Sequence, residues 1–167
     1  GHGALDPTGS PTGGCAPRAH YWALYMYRKY FGDTLYAAST NQELLSTYTS
    51  TQGDTKYVMV INKSRDTKYT SKVEIGAGTY NLELYSFGPQ QYQWSENLYR
   101  AVVNKAPVRQ TAGKPVSGSF NYTFQPYTIT AFKLAPATAA PAAAPPACSC
   151  RRLGWPPSYA GSGLPPL

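Results

Sequence analysis

The feature that most constrains the fold of this chain is a continuous apolar run, Lys56-Tyr-Val-Met-Val-Ile-Asn62. The run has the length of one strand and is rich in β-branched and aromatic residues, which favour strands. Such a run is typical of a central strand whose two faces are both covered. We therefore expect a sheet in which other side chains pack on each face of this strand.

Shorter strand patterns surround this run over residues 34–134. Residues 80–84 alternate apolar and polar side chains, which is the period of a half-buried strand. Turn signals interrupt the region at Thr51-Gln-Gly-Asp54, Gly76-Ala-Gly78, Gly88-Pro89 and Pro126. About seven or eight short strands, with turns roughly every 8–12 residues, predict an all-β fold, an antiparallel β-sandwich.

Residues 18–33 carry a helical pattern between Pro17, which suits the first turn of a helix, and Gly32, which suits its end. Helical spacing predicts one packed stripe, made of Ala23, Met26, Tyr27 and Tyr30. The apolar residues outside that stripe are Trp22, Leu24 and Tyr25. Because apolar side chains surround the helix, it needs cover on two sides. A sandwich covers one side, so we expect the second face to bind another body or a second copy of the chain.

The two ends of the chain differ from the middle in composition. Residues 1–17 are rich in Gly, Pro, Ser and Thr and are expected to be irregular. Residues 135–167 begin with an alanine- and proline-rich stretch, which is typical of linkers between modules of secreted enzymes. No periodicity follows, and we expect this tail to be disordered.

The composition narrows the classes of function. Only 14% of the 167 residues are charged and 15 are tyrosines, so hydroxyls, amides and phenols cover much of the surface. The formal charge of +7 does not indicate nucleic-acid binding, because the basic residues do not cluster on a recognition element. No segment approaches the roughly 18 apolar residues that a membrane span requires.

The three cysteines, Cys15, Cys148 and Cys150, all lie outside the predicted sandwich. Cys148 and Cys150 are too close for an ordinary disulfide and have no histidine at the spacing of a zinc site. We therefore predict neither a metal site nor a cofactor.

Four segments occur in an order that resembles a known enzyme family. They are the aromatic helix at 21–33, residues 40–50, Val58-Met-Val-Ile-Asn-Lys63, and Phe124-Gln-Pro-Tyr-Thr-Ile-Thr-Ala-Phe-Lys133. Together they resemble the C-terminal portion of glycoside hydrolases of the endoglucanase type, family 44 in particular, to which families 51, 30 and 39 are related.

The resemblance implies a sandwich that follows a catalytic barrel, with the helix at 18–33 as the remnant of the last barrel helix. It implies a secreted protein, with the missing barrel as partner of this chain. Retaining glycosidases use two barrel carboxylates, and both would lie upstream of residue 1. We accordingly expect the chain to begin inside a longer parent, and no residue here takes over a catalytic role.

Aromatic residues give the candidate binding site. Tyr92 and Trp94 lie in Gln90-Gln-Tyr-Gln-Trp-Ser-Glu-Asn97, where amides neighbour flat rings. Rings in that setting can stack on the C–H faces of a β-glucan while the amides bind its hydroxyls. The competing interpretation, which the sequence favours for Trp94, is that the indole fills the core.

The carboxylates and the glycosylation sequons indicate a functional site less clearly than the aromatic residues do. Glu43 and Glu96 form the one carboxylate pair that could converge, and nothing in the sequence places them together. Asn62 and Asn121 begin the triplets Asn-Lys-Ser and Asn-Tyr-Thr, which are glycosylation sites in a eukaryotic host.

Four functions remain open at this point. The first is a non-catalytic accessory sandwich of a secreted, cellulase-like glycoside hydrolase that degrades polysaccharide. The second is a stand-alone β-glucan-binding module. The third is a structural protein that self-assembles through its helix, and the fourth is a fragment that retains glycosidase activity.

Overall fold

A computed structural model describes residues 5–6, 16–98 and 100–137. In this part of the chain there are one helix and eleven strands. They are β1 (Leu5–Asp6), β2 (Ala16–Pro17), α1 (Ala19–Lys29), β3 (Thr34–Tyr36), β4 (Leu45–Gln52), β5 (Thr55–Asn62), β6 (Tyr69–Phe87), β7 (Tyr92–Ser95), β8 (Arg100–Asn104), β9 (Val108–Thr111), β10 (Val116–Phe124) and β11 (Thr128–Pro136).

Seven of the strands form one antiparallel sheet in the order β10-β6-β11-β5-β4-β3, with β9 pairing with β6. β5 pairs with β4 along one edge and with β11 along the other, and residues 57–60 are buried. The predicted central strand is therefore central. The all-β, antiparallel, sandwich-like fold that the strand patterns predict is confirmed.

β6 is the strand that bends this sheet into two layers. Its first part pairs with β10 and its last part with β11 and β9, and the change of partner falls at Tyr80. Just before that point Gly76 and Gly78 have φ of 73° and 110°, which favour glycine. The sequence predicts a break at these glycines, but the strand continues through them, because they bend the backbone without ending its pairing.

The bend brings apolar side chains of the two layers into one inner core. Val73 and Ile75, from the first part of β6, pack with Val58 and Val60 of β5. The core residues are Leu45, Val58, Val60, Val73, Ile75, Tyr80, Leu82, Leu84, Phe124, Phe132 and Leu134. Beside the first part of β6, a cleft of about 870 Å³ opens over the inner faces of β4 and β5.

α1 covers the outer face of the sheet. Met26 is fully buried there against Met59, Tyr85, Phe87 and Ala131. Met59 faces α1 while its neighbours Val58 and Val60 face the inner core. β5 is thus covered on both faces, as its unbroken apolar run requires.

The packed stripe of α1 differs from the predicted one. Trp22 packs on the sheet with Met26 and Tyr30, at the i, i+4, i+8 spacing of one helix face, whereas Tyr27 is 56% exposed. The assignment of Trp22 to the second face and of Tyr27 to the packed stripe is therefore wrong. The β7–β8 hairpin causes the difference, because it covers Trp22 from the side. Leu24 is exposed, as expected, at 63%.

Gly32 is required by close packing rather than by a helix cap. α1 ends at Lys29, and Gly32 donates its N–H to Ser50 Oγ at 2.8 Å. A Cβ on Gly32 would lie 2.2 Å from the carbonyl oxygen of Thr51, so only glycine allows the chain to approach β4 here.

The chain ends are described only in part. In the predicted irregular segment, residues 1–17, Leu5 pairs with Pro17 and Asp6 with Ala16. β11 ends at Pro136, two residues beyond the predicted boundary. The tail beyond residue 137 and all three cysteines lie outside the described residues. Among those that are described, no helix is long and apolar enough to cross a membrane.

Asn62 joins the end of β5 to two turns. Its side-chain Nδ2 lies 2.9 Å from the carbonyl oxygen of Thr67, 3.1 Å from that of Phe124 and 3.0 Å from that of Gln125. Its Oδ1 accepts the N–H of Ser64 at 3.0 Å. A buried amide that satisfies several backbone groups in this way fixes both turns against the sheet.

These contacts exclude one predicted glycosylation site. Asn62 is 1% exposed and its amide is fully engaged, so a glycan there is incompatible with this fold. The sequon prediction at Asn62 is wrong for that reason. Asn121 is exposed on β10, and modification there stays a prediction.

We expect Asn62→Ala to lower the free energy of unfolding by about 2 kcal/mol, because buried carbonyls lose their donor. Urea denaturation followed by circular dichroism measures this change. Asn121→Ala, at an exposed site, is the matched control and should stay within about 0.5 kcal/mol of wild type. Equal stability of the two variants would contradict the assigned role of Asn62.

Candidate functional site

An aromatic surface forms where the N-terminal half of α1 meets the β7–β8 hairpin. Tyr92 pairs with Asn104, and the register shifts between Gln93 and Trp94. The shift leaves Val102 without a residue opposite it, so β8 carries a bulge here. Trp94 is 42% exposed, so the interpretation that it fills the core is wrong.

Tyr92 and Trp94 are therefore not equivalent. Tyr92 is half-buried, and its ring centroid lies 6.4 Å from that of Phe87. Tyr92 thus anchors the hairpin to the outer face of the sheet. Trp94 presents its ring to solvent, and the Arg18 guanidinium carbon lies 5.9 Å from the ring centroid, within cation–π range.

Asn104 ties the hairpin to the helix. Trp22 donates its indole N–H to Asn104 Oδ1 at 3.0 Å, and Asn104 Nδ2 donates to the carbonyl oxygen of Pro17 at 2.6 Å. These bonds hold the hairpin, and with it Trp94, beside the first turn of α1. The arrangement gives a positioned, exposed indole, which suits stacking on a flat C–H surface.

A second surface, here called the α1 outer face, spans the exposed side of α1 and the part of the sheet's outer face beside it. It is made of Leu24, Tyr27, Phe31, Leu35 and Tyr48.

Ring contacts make this surface continuous. The Tyr27 and Phe31 rings stack at 4.6 Å, and the Tyr48 ring lies 6.5 Å from that of Phe31. Leu24 precedes Tyr27 by three residues on the same helix face. Leu35 pairs opposite Ser50, which places it on the same face of the sheet as Tyr48. Large apolar side chains on both helix and sheet are thus exposed together.

A polar network also lies on the outer face of the sheet. The Tyr85 hydroxyl donates to Glu83 Oε2, and Arg109 donates to the same carboxylate from Nε at 3.2 Å and from Nη2 at 3.0 Å. The Tyr30 ring stacks on Tyr85 at 3.6 Å, and burial raises the pKa of Tyr85 to about 12.

These partners decide the ionisation of Glu83. The hydrogen bond from Tyr85, followed by that from Arg109, holds the pKa of Glu83 below its ordinary value of 4.5 despite partial burial. A glycosidase acid needs the opposite shift, a carboxyl that keeps its proton near neutral pH. Glu83 is therefore suited to a structural role. Glu74 forms an ion pair with Lys72 on an exposed strand, with 2.9 Å between Lys72 Nζ and Glu74 Oε1.

The two carboxylates that the sequence left as a conceivable pair lie in two separate loops. Glu43 precedes β4, and Glu96 lies between β7 and β8. Neither makes a hydrogen bond or ion pair within the described part of the chain. Among the same residues, no group of three or more His, Cys, Asp or Glu could hold a metal ion.

Sequence reasoning identified Trp94 and Leu24 but missed their neighbours. Arg18 and Asn104, and likewise Leu35 and Tyr48, come from elements that are distant along the chain. Trp22 and Asn104, for example, are 82 residues apart. No local pattern in a single sequence marks such a contact, and only the pairing of strands brings these residues together.

Comparisons with known proteins give a likeness in fold. No protein-family profile matches the sequence, and no curated protein matches it. An arabinofuranosidase superposes with a TM-score of 0.59 at 15% identity, over 79% of this chain and 31% of that one. A family 51 α-L-arabinofuranosidase from Thermotoga petrophila gives 0.53 at 13%, over 72% and 29%. A family 44 endoglucanase from Clostridium thermocellum gives 0.51 at 20%, over 68% and 22%.

At these identities the likeness establishes the fold alone. The chain spans less than a third of the length of each of these enzymes. Its fold is that of a part of glycoside hydrolases of families 44 and 51.

Proposed function

We propose that this chain is a non-catalytic accessory β-sandwich of a secreted, polysaccharide-degrading glycoside hydrolase of the endoglucanase type. In this proposal it resembles family 44 most, α1 is the remnant of the last barrel helix, and the α1 outer face docks on the catalytic barrel. The single observation that carries the proposal is the apolar character of both faces of α1. One face is buried on the sheet by Met26, and the other exposes Leu24 and Tyr27.

The energetics of that second face support a docking role. Burial of a large apolar side chain contributes roughly 1.5–3 kcal/mol. Soluble monomers seldom expose a contiguous apolar patch beyond a few hundred Å². The α1 outer face combines helix and strand residues in ring contact, so covering it stabilises a complex of two bodies. The matched hydrolases, of which this chain spans less than a third, contain further chain that such a face would contact.

The charged groups support a role without catalysis. Retaining glycosidases place an acid and a nucleophile about 5–5.5 Å apart. The two strand glutamates, Glu74 and Glu83, are instead paired with cations, and the pKa of Glu83 is lowered. Glu43 and Glu96 lie in separate loops.

The pure chain should show no hydrolysis of carboxymethyl cellulose or xyloglucan, because the residues that the structure describes include no positioned acid and nucleophile. Reducing-sugar release, against a heat-inactivated sample and with a family 44 endoglucanase as positive control, measures this. A turnover that Glu43→Gln or Glu96→Gln abolishes would contradict the proposal and favour the retained-activity alternative.

A second candidate function is β-glucan binding by the exposed Trp94. The observation that favours it is the exposure of the indole, together with its fixed position beside Arg18 and Asn104. A rigid flat ring loses little entropy when it stacks on a sugar.

If Trp94 binds β-glucan, the chain is retarded in affinity electrophoresis through hydroxyethyl cellulose, and Trp94→Ala abolishes the retardation with an unchanged circular dichroism spectrum. Tyr48→Ala, which removes a ring of similar exposure from a different surface, is the matched control and should run as wild type. Unretarded migration of the wild type would exclude this function.

A further inference from the structure

A pocket of about 350 Å³ opens between the two layers, on the inner side of the sheet where β9 pairs with β6. Its floor is formed by Ser86 of β6, Val108 and Gln110 of β9, and Thr130 of β11. The strand register places these side chains on one face, since Ser86 pairs with both Val108 and Thr130. The pocket therefore lies on the opposite side of the sheet from α1 and its outer face.

The other layer and two turns complete the pocket. Tyr122 of β10 contributes its ring, and Gln125 lies in the turn between β10 and β11. Gln90 and Gln91 come from the turn that follows β6. Gln91 Oε1 accepts the N–H of Gly88 at 3.0 Å, which fixes this turn at the rim.

The polar side chains of the pocket are neutral, and three of its glutamine amides have no hydrogen-bond partner among the described residues. None of its lining residues is charged. The side-chain amides of Gln90, Gln110 and Gln125 make no hydrogen bond to any residue that the structure describes. Each amide offers two N–H donors and a carbonyl acceptor, so the three exposed amides at this pocket can bind the hydroxyls of a ligand.

Apolar groups stand beside these amides. Val108 and Pro126 line the pocket together with the Tyr122 ring and Thr130. Burial raises the pKa of Tyr122, so its phenol also stays neutral. A lining of this kind has no charge to bind a phosphate, a carboxylate or a cation. It matches a ligand with an apolar face and several hydroxyls.

We propose that this pocket binds one neutral sugar unit, such as a terminal or branch residue of a polysaccharide. The glutamine amides bind adjacent hydroxyls, and Tyr122, Val108 and Pro126 contact the C–H face of the ring. The volume is at the lower end of the range for small-molecule sites, which fits a single unit rather than a long chain. This pocket is separate from the α1 outer face and from Trp94, so the proposal can be tested independently of both.

Nuclear magnetic resonance of the full chain, labelled with ¹⁵N, tests the proposal. The probes are glucose, xylose, galactose, arabinose and a branched xyloglucan oligosaccharide. At least one probe should shift the side-chain amide signals of Gln90, Gln110 and Gln125 along one saturable isotherm. The amide signal of Gln52, which is exposed at the end of β4, should not move.

Variants then assign the site. Gln110→Ala should weaken binding about tenfold, because one amide that binds the ligand is lost. Gln125→Ala provides a second variant if the first unfolds. Gln52→Ala should leave the affinity unchanged.

Three results would overturn the proposal. The first is that no probe shifts the pocket amides up to its solubility limit. The second is that the shifts are confined to the β7–β8 hairpin and disappear in Trp94→Ala. The third is that sodium phosphate or acetamide shifts the pocket amides as strongly as every sugar, which would indicate a site without sugar recognition.

Discussion

The burial of β5 on both of its faces is the constraint on which the rest of this structure depends. Val58 and Val60 need an inner layer, which the bent strand β6 supplies through Val73 and Ile75. Met59 needs an outer layer, which α1 supplies through Met26. The helix also carries apolar side chains that do not face the sheet. Packing α1 on Met59 therefore leaves the α1 outer face exposed. The feature that completes the fold thus also produces its main candidate contact surface.

Much of the fold could be predicted from the sequence, because local patterns report burial. The unbroken run of residues 56–62 indicates a strand covered twice, and alternation at 80–84 indicates a half-buried one. Glycine is ambiguous, however. Gly76 and Gly78 permit either a turn or a bend. The backbone bends here because β6 pairs with β10 before Tyr80 and with β11 after it. Gly32 was predicted to cap a helix, but its contact with Thr51 depends on tertiary packing.

The candidate sites were less predictable, since their residues meet only in the folded chain. Helical spacing alone could not place Trp22, whose position depends on Asn104, 82 residues away. Trp94 is a large aromatic of the kind that usually packs in a core, yet its ring is 42% exposed on the β7–β8 hairpin. The glutamine pocket draws on residues from 86 to 130, which belong to four strands and two turns. Exposed glutamines carry no periodicity that would have marked it.

The central claim, that the α1 outer face is a docking surface, is tested most directly by sedimentation velocity at micromolar concentration. If the claim holds, the wild-type chain associates with itself through these exposed side chains, and Leu24→Ser with Tyr27→Ser restores a monomer. Val102→Ser, at a residue of β8 with comparable exposure, should associate as the wild type does. A monomeric wild type, or a double variant that associates unchanged, would contradict the claim.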